Sequence, residues 1–79
     1  MKKGEIIYYA RIIPNISYDV YELKVRTIED TWFSAIEKRS KMTFIFNNED
    51  IDISVFYDRN IALKKVKEAE KYKKEYTEY

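Results

Sequence analysis

The chain contains no cysteine and no histidine, and only one glycine and one proline among its 79 residues. Without cysteine it can form neither disulfide bonds nor thiolate metal sites. The single glycine, Gly4, excludes the glycine-rich loops that hold nucleotide phosphates. Without histidine, a serine nucleophile would need a lysine or a carboxylate as its base, which is an uncommon arrangement. These absences predict a protein that is not an enzyme and that uses no cofactor.

Long apolar runs are also lacking. No stretch approaches the roughly 20 apolar residues that cross a bilayer. The N-terminal sequence MKKGEIIYYARIIP starts basic, but Arg11 interrupts its apolar run and no small-residue cleavage site follows. Both observations predict a cytoplasmic protein with no membrane contact.

Charge of one sign is not in excess either, since the net charge is +1. Residues 1–58 are slightly acidic and residues 59–79 are basic. A chain this close to neutrality exerts little overall attraction on nucleic acid.

Apolar residues make up 46% of the chain and aromatic residues 16%. This content is enough for a packed core and is atypical of disordered chains. The length predicts a single domain, 1–79.

Five segments show the short apolar clusters or alternation of β-strands: 5–13, 18–27, 31–37, 42–46 and 53–57. The second segment alternates most clearly, with apolar and charged side chains following one another in YELKVR. Pro14 and Asn15 favour a turn after the first segment, and Glu29 and Asp30 favour one after the second. These features predict a meander of antiparallel strands.

A helix is predicted over residues 58–75. Asp58 is a favoured N-cap residue, and Ala62, Val66 and Ala69 repeat at helical spacing behind it. The predicted fold is mainly β with one C-terminal helix. It is a small five-stranded antiparallel SH3-like barrel or bent meander, in which the helix covers an open end or an exposed edge. An α+β two-layer sandwich is the alternative.

The segment VFYDRNIALKKV resembles the closing segment of a loose group of small proteins from low-GC bacteria and their phages. Those proteins often end in a VF-x-(T/D)-R-E-E-A segment that joins a last strand to a helix. The matching residues are Val55, Phe56, Asp58, Arg59 and Ala62, whereas Asn60 and Ile61 replace the usual acidic pair. The resemblance implies a phage or prophage origin and a small barrel, without implying an activity.

The segment NNEDID at 47–52 is rich in oxygen ligands, and it is the strongest candidate for a metal site. It lacks the glycine and the distal glutamate that a Ca²⁺-binding EF-hand loop requires. Asn and Asp are also common in turns, because they tolerate left-handed backbone conformations. We therefore predict an ordinary loop and no metal site.

Protein binding is the predicted function, because tyrosine, tryptophan and arginine are enriched at interface hot spots. The candidate partner-binding residues are Tyr9, Trp32, Arg39, Tyr72 and Tyr76. From the resemblance, the partner would be a host or defence protein such as a CRISPR effector, which the chain would inhibit. A homodimer formed through the helix or a strand edge is a further expectation.

The alternative function is a nucleic-acid-binding small β-barrel. Bases would stack on aromatic side chains and phosphates would meet basic ones. The aromatic candidates are Tyr8, Tyr9, Tyr18, Tyr21, Trp32 and Phe33, and the basic candidates are Arg11, Lys24, Arg26, Lys38, Arg39 and Lys41.

Overall fold

The computed structural model describes the backbone of residues 1–77 and the side chains of residues 1–71. Its elements are β1 (Ile6–Ile13), β2 (Ser17–Ile28), β3 (Trp32–Glu37), β4 (Thr43–Asn47), a 3₁₀ turn (Asn48–Asp50), β5 (Val55–Phe56) and α1 (Arg59–Thr77). Each of these strands and the helix overlaps a segment predicted from the sequence. Within residues 1–77, no helix is both long enough and apolar enough to cross a membrane.

The strands form one antiparallel sheet in the order β4-β3-β2-β1-β5, curled into a half-barrel. A register shift between Val25 and Thr27 leaves Arg26 as an extra residue in β2, and such bulges bend a strand and increase its twist. The structure confirms the predicted mainly β fold with five antiparallel strands and one C-terminal helix.

The inner face of the half-barrel holds the larger apolar cluster. Its buried members come from every strand: Ile7, Leu23, Val25, Phe33, Ala35, Phe46 and Val55. They occupy alternate strand positions, because successive side chains point to opposite faces of a sheet. Phe33 has no exposed surface, and burying such a side chain stabilises the fold by about 1.5–3 kcal/mol.

The outer face of the sheet carries the second cluster, which lies beneath the helix. Ala62 and Val66 of α1 pack against Ala10 of β1 and Phe56 of β5. The side chains of Ala10 and Ala62 are small, which lets the helix and the strand approach closely.

The helix thus packs across the outer face of the sheet, so the expectation that it covers an open end or an edge is wrong. The reason is that the outer face of β1 and β2 is itself apolar and needs cover, with Ile12 and Val20 beside Ala10.

Asp58 begins the helix as its sequence predicts. Its Oδ1 accepts a hydrogen bond of 2.8 Å from the backbone N–H of Asn60. Its backbone carbonyl also accepts from the N–H of Ala62 at 3.3 Å. The first bond satisfies a donor that the first turn of a helix leaves free, and the second is the first hydrogen bond within the helix.

Candidate protein-binding surface

The structure places the predicted binding residues in separate parts of the molecule. Tyr9 lies half-buried on the inner face, Trp32 lies on the outer face at the start of β3, and Arg39 is exposed in the turn between β3 and β4. The side chains of Tyr72 and Tyr76 lie outside the described residues. The three described candidates therefore do not form one site.

Tyr9 belongs to an aromatic cluster at one end of the half-barrel. Its ring centroid lies 4.9 Å from that of Phe46 and 5.5 Å from that of Phe44. Tyr21 stacks on Phe44 with a centroid distance of 5.9 Å. Such pairs stabilise a core, so the main role of the Tyr9 ring is packing.

Arg11 borders this aromatic cluster. Its Nη1 donates a hydrogen bond of 3.3 Å to the Tyr21 hydroxyl, and this bond raises the pKa of Arg11 above its usual value. Arg11 thus places a positive charge beside the rings.

The part of the outer face that α1 does not cover exposes several large apolar side chains. We call the exposed side chains of Ile6, Trp32 and Ile45, together with the half-buried Ile36, the outer patch. Ile45 is 71% exposed and Trp32 is 37% exposed. Ile45 stands opposite Ser34 in the β3–β4 ladder, which makes Trp32 and Ile36 its diagonal neighbours on the same face.

Strand register makes the outer patch continuous across the sheet. Ile6 stands opposite Lys24, and Lys24 stands opposite Ile36. The aliphatic stem of a lysine can lie along apolar neighbours while its ammonium group stays in water. Ile6, Lys24 and Ile36 thus form one row on the outer face across β1, β2 and β3.

A shallow groove of about 430 Å³ runs along this part of the sheet. Its apolar lining includes Ile6 and Ile36, and its cations are Lys24, Lys38 and Lys41, which we call the basic rim. Among the residues whose side chains the structure describes, Glu22 supplies the one carboxylate of its lining. This excess of positive charge favours an acidic partner.

The outer patch ends at β4, whose far side is a free strand edge. The Glu37 N–H donates to the Met42 carbonyl at 2.9 Å. Since hydrogen-bonded and non-hydrogen-bonded pairs alternate along an antiparallel ladder, the backbone groups of Thr43 and Ile45 point away from β3. Within residues 1–77, no other strand pairs with them. The next outward N–H, that of Asn47, donates to Asp50 Oδ2 at 3.0 Å.

A second groove, of about 520 Å³, includes Arg39 in its lining. Lys38 and Arg59 add two further cations, and Tyr8 and Tyr21 also line the groove. The carboxylates of Glu22 and Glu37 share the groove and partly balance its charge.

Comparison of the chain with protein-family models, curated proteins and solved structures gives no match. The function is therefore argued from the residues themselves. Sequence reasoning missed Ile45 as a surface residue. The alternation in TFIFN could have revealed it, because two phenylalanines that share the inner face send the isoleucine between them outward.

Proposed function

We propose that the chain is a non-enzymatic, cytoplasmic protein-binding module that uses the outer patch and its basic rim. One observation carries the proposal: α1 covers the apolar outer face around Ala10 and Phe56, and the face continues uncovered at Ile6 and over β3 and β4. Contiguous exposed apolar surface with a polar border is characteristic of interaction sites. Trp32 and Ile45 are the residues on this surface whose contacts would contribute most to binding.

The charge around the patch indicates the chemistry of the partner. An apolar ridge or strand flanked by carboxylates would place its side chains on Ile36 and Ile45 and its charges on the basic rim. Charged rim contacts chiefly increase the rate of association and its dependence on salt. Binding should therefore weaken moderately, without disappearing, as the salt concentration rises.

The resemblance of segment 55–62 extends the proposal to a phage-encoded inhibitor of a host or defence protein, such as a CRISPR effector. That extension is supported by the resemblance alone. The choice of surface does not depend on it.

Affinity capture from a low-GC bacterial lysate tests the proposal with three variants of the chain. Trp32→Ala and Ile36→Lys alter the outer patch. Ile16→Lys adds the same charge at an isoleucine that is 79% exposed in the turn between β1 and β2. We expect the unmodified chain and Ile16→Lys to recover the same protein, and the two patch variants to recover much less of it. Equal recovery by all variants, or no recovery by the unmodified chain, would contradict the proposal.

Nucleic-acid binding is the second candidate, and the groove lined by Lys38, Arg39 and Arg59 favours it. Phe33 is fully buried and offers no surface for a base, so Tyr8 and Tyr21 would have to supply the stacking. Retention of the chain on a single-stranded oligonucleotide over a salt series tests this candidate. Steep loss of retention with salt, with a shallower slope for Arg39→Gln, would support it. Retention that is negligible at low salt would exclude it.

A further inference from the structure

We infer that the chain self-associates through β4, whose free edge pairs antiparallel with β4 of a second copy about a two-fold axis at Ile45. The inference rests on the proposed function in one respect, because both treat the outer patch as a binding surface. The second copy would occupy the border of that patch formed by β4. Pairing would join the two half-barrels into one continuous sheet across the interface.

The backbone of β4 is available for this pairing. The outward N–H and C=O groups of Ile45 would bond to those of Ile45 in the second copy. The Thr43 N–H would reach the Asn47 carbonyl of that copy. The bond from the Asn47 N–H to Asp50 occupies one outward donor of the edge and leaves those of Thr43 and Ile45 for pairing. Edge strands left open in this way are templates for another strand.

The sequence of β4 is self-complementary in an antiparallel pair. Thr43, Phe44, Ile45, Phe46 and Asn47 read as polar, aromatic, aliphatic, aromatic and polar. A two-fold interface requires this kind of self-complementarity, because each surface meets itself. Antiparallel pairing about Ile45 puts the two exposed isoleucines side by side on the outer face and keeps the phenylalanines on the inner face.

Opposite charges at the two ends of β4 select the antiparallel orientation. The turn before the strand contains Lys38, Arg39 and Lys41, and the loop after it contains Glu49, Asp50 and Asp52. Antiparallel pairing places the basic turn of each copy beside the acidic loop of the other, with Lys41 close to Glu49. A parallel arrangement would put like charges together at both ends.

The contact is short, because β4 has five residues. It would bury less than about 1,200 Å², the range of weak and transient complexes. We therefore expect a concentration-dependent equilibrium between monomer and dimer. The groove between Ile6 and Ile36 would stay open for a different protein.

Sedimentation velocity of the purified chain at increasing concentration tests the inference. We expect the sedimentation coefficient of the unmodified chain and of Ile16→Lys to rise toward that of a dimer. Ile45→Lys should stay monomeric at every concentration, because two ammonium groups would meet at the axis. A monomer throughout for the unmodified chain, or undiminished association of Ile45→Lys, would overturn the inference.

A mixing experiment separates the interface from any effect on folding. Lys41→Glu places a carboxylate opposite Glu49 of the second copy, and Glu49→Lys places a lysine opposite Lys41 of the second copy. Each variant alone should self-associate more weakly than the unmodified chain, and an equal mixture of the two should regain association as a heterodimer. A mixture that associates no more than its components would contradict antiparallel pairing. Both experiments use the purified chain alone and test only self-association. The capture experiment tests binding of a different protein, so either hypothesis can fail without the other.

Discussion

The outer face of the sheet has two regions, and both carry apolar side chains. The helix covers one region, and the other is exposed to solvent. Around Ala10 of β1 and Phe56 of β5 the face is covered by α1. Over β3 and β4 it carries Trp32 and Ile45 and is open. The comparison shows that apolar alternation on both faces of a strand does not by itself mean burial on both faces, since the chain supplies only one helix to cover the sheet.

The position of β5 decides which region the helix covers. β5 pairs with β1 at one edge of the sheet, and Asp58 begins the helix within two residues of its end. A helix that starts there runs over the nearest strands, β1 and β2. The strands at the other edge, β3 and β4, keep their apolar side chains available for a different molecule.

The largest expected effect is at the covered region. Val66→Asp places a carboxylate at a site that is 5% exposed, and no cation belongs to its cluster among residues 1–71, whose side chains the structure describes. We expect the free energy of unfolding, measured with urea, to fall by about 3 kcal/mol or more. Ile61→Asp in the same helix is the control, because Ile61 is 53% exposed and a carboxylate in the first turn suits the helix dipole. Similar losses for the two variants would show that the helix is not held by this cluster.

A smaller effect is expected where the helix begins. Asp58→Ala removes the side chain that accepts from the Asn60 N–H, which should lower the free energy of unfolding by about 1 kcal/mol. Asp58→Asn keeps an acceptor oxygen and should retain most of that stability. A loss as large for Asn as for Ala would show that the hydrogen bond contributes little and that the negative charge is what matters.

The smallest effect on stability is expected at the open region. Ile45→Lys should change the free energy of unfolding by less than about 0.5 kcal/mol in dilute solution, because the side chain is already in water. The same urea titration as for Val66→Asp measures it. A loss of more than about 1 kcal/mol would mean that Ile45 contributes to the folded monomer, and the contrast between the two regions would then disappear.

Local features of this chain were predictable from its sequence because they depend on neighbouring residues. The alternation in YELKVR places Leu23 and Val25 on one face, and both are buried there. Asp58 caps the helix through its own side chain, a contact that spans two residues. The position of the helix on the sheet was predicted wrongly, because packing of Ala62 against Ala10 depends on residues far apart in the chain.

The candidate surface was less predictable than the fold. Trp32 was named from its residue type and lies on the outer patch, but Tyr9 was named on the same grounds and packs among aromatic rings. Composition cannot separate these two cases, since an aromatic residue suits a core as well as an interface. Ile36 and Ile45 became candidates only when the strand register was known.

The sequence by itself determined the number of strands and their succession along the chain, the helix that follows them, its starting residue and the lack of histidine and cysteine. Each of these depends on residue type and on spacing over a few positions. Both are already present in the unfolded chain. Only the tertiary structure decided which half of the outer face the helix covers and which strand edge stays open. Those outcomes depend on pairing between distant strands, because the order β4-β3-β2-β1-β5 alone makes β1 a neighbour of the helix and leaves β4 at an edge.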